Sequence, residues 1–152
     1  MSDAVLLNLV LFLPVVGAAL LALARRNAEA VRVTTTAIMT VQFALAAVLY
    51  LHFDGTMAGL QAGTSIPWIP QWGVSYAVGL DGVNILLVLL TAFLGPLVVL
   101  GAWTAIKKDV ALFHVNVLLL QFAMMGAFLA QDLFLFYLFW DCLLYTSDAA
   151  DE

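Results

Sequence analysis

At 152 residues, 65% hydrophobic and only 10% charged, with a mean hydropathy of +1.09, the chain is far more apolar than a soluble domain. Soluble domains are about half apolar and about a quarter charged, so the composition points to an all-α membrane protein. The net charge of −5 comes from few charges in connecting segments and the tail, so there is no basic patch for nucleic acid, and one cysteine excludes an internal disulfide or a cysteine-based metal cluster.

The opening MSDAVLLN lacks the positive n-region of a cleavable signal, so the first apolar run is read as retained. Residues 4–24 form a first span long enough to cross a hydrocarbon core of about 30 Å. Asn8 and Pro14 interrupt it, and Gly17, Ala18 and Ala19 offer a small face for close helix contact. Arg25, Arg26 and Arg32 follow. The second span covers 33–53. Its Thr34, Thr35, Thr36 and Thr40 can bond back to the helix or across to a neighbour, and Gln42 near its middle reads as an interhelical hydrogen bond. His52, at the end, reads as interfacial and solvated.

Residues 54–79 form a loop rich in Gly, Pro, Ser and Thr. Within it, IPWIPQWGVSYAV carries two prolines that argue against a helix and for a short extended hairpin turning at Gly73. Its Trp68, Trp72 and Tyr76 suit the headgroup region. Asp81 reads as the cap of a third span, 82–105, with Asn84 one turn in and Gly95-Pro96 at its middle. Lys107, Lys108 and Asp109 connect to a fourth span, 111–130, which carries His114, Asn116 and Gln121. Leu133 starts a fifth. The expected fold is thus four full transmembrane helices plus a truncated fifth, with a hairpin between the second and third.

All five Lys and Arg fall at 25–32 and 107–108, which four spans place on one side. The positive-inside rule makes that side cytoplasmic and puts the N-terminus, the hairpin and Asp132 on the other.

Asp141 is the chemically arresting residue. From Asp132 it lies nine residues up a helix, roughly 13 Å, where half a hydrocarbon core is about 15 Å. An ionised carboxylate there costs on the order of 3 kcal/mol or more, and an intramembrane acid reads by default as a proton or ion relay. The bland alternative is an acid paired with another helix for assembly. His114, one to two turns inside the cytoplasmic end of its span, is a candidate for the proton path, with an interhelical hydrogen bond as the competing reading. Asp81 and Asp132 read as helix caps.

The fifth span, 133–145, is too short to cross and runs straight into TSDAADE. The string CLLYTSDAADE resembles the conceptual translation of a transposase-type sequencing adapter. On that reading residues 142–152 are a non-native tail, Cys142 has no redox role, and codon 141 is a hybrid in which Asp141 stands where a glutamate belongs.

Two blocks, PWIPQWGVSYAVGLDGVNILLVLLTAFLG from Pro67 and FHVNVLLLQFAMMGAFLAQDLFLFYLFWD from Phe113, resemble the antiporter-like M subunits (chain 4) of proton-pumping NADH:quinone oxidoreductase, respiratory complex I. The resemblance covers residues 1–141, as the N-terminal part of a multi-pass domain of about fourteen helices. The family carries FxxFWE where this chain reads FYLFWD, so the resemblance implies a membrane glutamate at 141. It also implies a lysine partner on a later helix and a polar axis beyond this chain. Desolvation drives such a carboxyl toward its protonated form and a nearby lysine toward its ionised form, so moving the lysine switches it. The chain is then expected to hold no cofactor, with NADH, flavin, iron–sulfur clusters and quinone elsewhere in the complex, to be inactive alone, and to sit in a bacterial inner membrane against neighbouring antiporter-like subunits. Consistent with that, it has no GxGxxG, no cysteine spacing and no phosphate loop. Mrp-type sodium/proton antiporters and membrane-bound hydrogenases share the acid and are the alternative.

Overall fold

In the computed structural model, which describes residues 2–24, 27–57 and 59–151, the order is α1 (Asp3–Ala24), α2 (Ala28–His52), β1 (Gln61–Ile69), a 3-10 turn (Pro70–Trp72), β2 (Val74–Leu80), α3 (Asn84–Gly101), α4 (Val110–Leu129) and α5 (Leu133–Asp151). The first four helices are long and apolar enough to cross a membrane. Their outward faces carry residues such as Leu9, Phe12, Leu20, Leu90 and Leu97, which are exposed. Helices apolar on every side need lipid or further protein around them, because water would not tolerate that surface.

The expected hairpin is present. β1 and β2 pair antiparallel, from Gln61 opposite Leu80 to Ile69 opposite Val74. Gly73 makes the turn at φ +67, a left-handed conformation that glycine adopts without a Cβ clash. The hairpin folds back onto the helices. Val78 bridges Ala130, and the Gln131 amide donates to the Ala77 carbonyl.

Several boundaries differ from expectation. α2 starts five residues earlier, because the Asn27 side chain accepts from the Glu29 amide and caps it. α3 ends at Gly101, and residues 102–105 are turns. The fifth helix does not stop at 145 but continues to Asp151, while its apolar part, Leu133–Thr146, stays shorter than a full span. The small and acidic residues after Tyr145 keep helical geometry because Ala, Asp and Ser do not block it.

α4 is the central helix, packing against α1, α2, α3 and α5. The core has two apolar clusters. One, toward the hairpin, includes Leu7, Leu11, Leu49, Ile85, Met125 and Phe139. The other, toward the opposite end, includes Leu21, Met39, Val99, Val110 and Leu118. Between them lies a polar layer.

Candidate functional site

The polar layer is built from groups that sequence places mid-span. Gln121 on α4 donates through Nε2 to Gln42 Oε1 on α2, 3.2 Å, and to the Thr91 carbonyl on α3, 3.0 Å. Gln42 in turn donates to the Val10 carbonyl on α1, 2.9 Å. Four helices are thereby joined at one level, and both amides are buried. The interhelical bond expected of Gln42 is found. The threonines of α2 bond back to their own helix, Thr35 to Val31, Thr36 to Arg32 and Thr40 to Thr36.

At the hairpin end, Asn8 donates to Thr64 Oγ1 on β1 and accepts from the Tyr76 hydroxyl on β2 at 2.6 Å. Asn84 donates to the Gly79 and Phe128 carbonyls. Asp81 accepts from the Val83 and Asn84 amides, and Asp132 from the Phe134 and Leu135 amides, so both acids cap helices as expected. Asp132 also accepts from the Ser75 amide, which clamps hairpin to α5. The Ser75 amide first, then that of Leu135, hold the Asp132 carboxyl below its ordinary value against a small opposing effect of burial. Burial raises the Tyr76 hydroxyl. His52 is exposed, as expected, and lies 3.0 Å from Asp3 Oδ1. Trp68 and Trp72 are exposed on the hairpin, and Trp68 meets Phe134 edge-on.

At the opposite end, Arg32 reaches from α2 to the Ile106 carbonyl in the α3–α4 connection, 2.7 Å through Nη2. This bond joins the two positively charged segments on one side, as four spans require. His114 is 0% exposed. Among the described residues it forms no interhelical bond. Its Nδ1 lies 3.0 Å from the Val110 carbonyl one turn earlier in α4, so the bond stays within its own helix.

Asp141 lies on the outward face of α5, exposed, at the edge of a shallow cleft lined by Leu119, Phe122, Cys142, Tyr145 and Thr146. Among the described residues, no hydrogen bond or ion pair is formed by its carboxylate, and none joins it to His114. The structure thus separates the two sequence-predicted site residues: His114 points into the bundle, and Asp141 points out of it through apolar surroundings. Among the described residues no cluster of His, Cys, Asp and Glu could hold a metal. Sequence reasoning gave Gln121 no partner and read Arg32 only for its charge. The signal for Gln121 was its position near the middle of an apolar run, like that of Gln42.

No protein-family model matches the chain. It is 38% identical over 116 residues, 71% of its length, to NADH-quinone oxidoreductase subunit M of Escherichia coli (strain K12). It is 38% identical over 144 residues, 90% of its length, to NADH-quinone oxidoreductase subunit M of Rhodobacter capsulatus. These alignments cover 23% and 27% of the two relatives, so the chain spans about a quarter of their length. Among solved structures, a chain of respiratory complex I from Thermus thermophilus with bound NADH superposes with a TM-score of 0.74 at 30% identity, over 92% of this chain and 27% of that one. The four apolar spans and these likenesses make it an integral membrane protein, and the chain belongs to the NADH-quinone oxidoreductase subunit M (chain 4) family.

Proposed function

We propose that this chain is the N-terminal part of a membrane subunit that takes part in proton translocation coupled to quinone reduction in an NADH:quinone oxidoreductase. The observation that carries the reading is the superposition of 92% of the chain on a complex I chain, with a carboxylate two turns into α5 at the cleft beside α4. Asp141 is the proton relay and stands where a glutamate belongs. Its outward aspect suits a partner supplied from outside residues 1–141, since an acid facing hydrocarbon with no counter-charge is unfavourable by about 3 kcal/mol. His114 is a further candidate on the proton path. Residues 142–152 are a non-native tail. The subunit's partners are the other membrane subunits of the complex, with neighbouring antiporter-like subunits foremost. NADH, flavin, iron–sulfur clusters and quinone are handled elsewhere in that complex, and the piece alone does no redox chemistry and pumps nothing. The membrane is the bacterial inner membrane, with the N-terminus on the non-cytoplasmic side, which follows from the positive-inside rule applied to Arg32, Lys107 and Lys108.

The test starts with source DNA read across codon 140 and onward. A GAA or GAG codon followed by further apolar sequence supports the reading; a GAC codon followed by the same tail and a stop overturns the glutamate and the adapter. In the full-length subunit, replacing the residue at 141 by glutamine should lower proton pumping by about tenfold or more while the complex still assembles. Loss of sodium tolerance with respiration intact would instead favour an Mrp-type antiporter.

A further inference from the structure

A proline inside a helix withdraws the amide that would serve the carbonyl four residues earlier. α1 runs through Pro14 and α3 through Pro96. The carbonyls that lose their helical donor are therefore those of Val10 and Ala92, and both residues are 0% exposed, out of reach of bulk water. A buried backbone acceptor is rarely left unpaired, because no solvent replaces the bond it forfeits.

For Val10 the replacement is in place. Gln42 Nε2 on α2 donates to the Val10 carbonyl at 2.9 Å, and Gln42 is itself 0% exposed. A side-chain amide of one helix thus stands in for the backbone amide that another lacks. The direction of the whole layer follows. A carbonyl only accepts, so Gln42 turns its nitrogen to Val10 and its oxygen toward α4. There Gln121 Nε2 meets that oxygen at 3.2 Å and also donates to the Thr91 carbonyl at 3.0 Å, using both hydrogens of one amide. Thr91 immediately precedes Ala92, so this amide lands on the turn that Pro96 opens. Gly95 makes the room for it: a Cβ there would lie 3.2 Å from both Gln121 Nε2 and Met39 Sδ. One string of bonds therefore has a proline break at each end, Pro14 in α1 and Pro96 in α3.

We propose that Gln42 and Gln121 form a clasp that couples the break in α1 to the break in α3, a conformational device inside the bundle in which Gln42 is the surrogate donor for Pro14. A proline-opened turn is where a helix bends. With Val10 held from α2 and Thr91 held from α4, neither helix changes its bend without straining the bonds that hold the other. The clasp is independent of Asp141 and of any proton path.

The test is the unfolding midpoint of the full-length subunit in mixed micelles, for Gln42→Met and Gln121→Met, each alone and combined with Pro14→Ala. Methionine is close to glutamine in length and donates nothing. Gln42→Met should lower the midpoint, and Pro14→Ala should remove about half or more of that loss, because the restored backbone N–H serves Val10 in place of the amide. Gln121→Met should lower it too, with a smaller recovery, since Gln121 reaches Val10 only through Gln42. An equal loss from Gln42→Met with and without Pro14→Ala overturns the surrogate donor and the clasp with it. An equal loss from Gln121→Met in both backgrounds overturns the coupling between the two breaks. Should Gln42→Met yield no folded subunit, the double variant decides: folded subunit recovered by Pro14→Ala supports the role, and none recovered overturns it.

Discussion

Gln121 shows how much one amide can decide inside a bundle of apolar helices. Its Nε2 serves two other helices, so Gln121→Leu leaves Gln42 Oε1 without its donor in a dry interior. We expect a loss of about 1–3 kcal/mol, read as a lower unfolding midpoint in mixed micelles. Gln42→Leu combined with it should cost less than the two separately, because they share the bond. At the hairpin, Tyr76→Phe removes the donor to Asn8 Oδ1 and should cost about 1 kcal/mol by the same measurement. Asp132 behaves differently. Its folded carboxyl lies below the ordinary 3.8, so it contributes stability above that value and loses it as pH falls through the lower folded one. Hairpin protection in hydrogen exchange should therefore persist from neutral pH to about 4 and weaken only below it, and Asp132→Asn should abolish this dependence. The caps at Asp81 and Asp132 were legible because an acid just before an apolar run has one obvious use. Gln121 was not, since which carbonyl an amide meets depends on how four helices pack.

Gly126 sets how closely α4 and α5 approach. A Cβ there would fall within the Phe139 ring, which packs on the glycine. Gly126→Ala should displace α5 at a cost of about 1–3 kcal/mol, and Phe139→Ala in the same chain should recover part of that loss. Small residues at helix crossings are readable as a class, but the ring that fills this gap comes from a helix thirteen residues on and follows from the fold. The hairpin was readable because two prolines and a glycine leave the chain few other conformations. The end of the fifth helix was not: apolar length predicts how far lipid is crossed, whereas helical geometry continues through any residues that tolerate it.

Across the molecule, the bond from Arg32 to Ile106 and the clamp from Asp132 to Ser75 put the connections at opposite ends of the bundle. In a full-length subunit freed of other accessible cysteines, Ser65→Cys should react with an impermeant maleimide on intact spheroplasts. Lys107→Cys should react only after permeabilisation, and the reverse pattern would invert the proposed orientation. The number of spans, their membrane setting and the grouping of charges at one end follow from composition and from the length of apolar runs, since the hydrocarbon thickness and the cost of burying charge act on each segment separately. The polar layer, the inward aspect of His114 and the outward aspect of Asp141 do not. They depend on the rotation of each helix about its axis, which is set by packing against α4, and a nearly uniform apolar helix carries no periodic signal of that rotation.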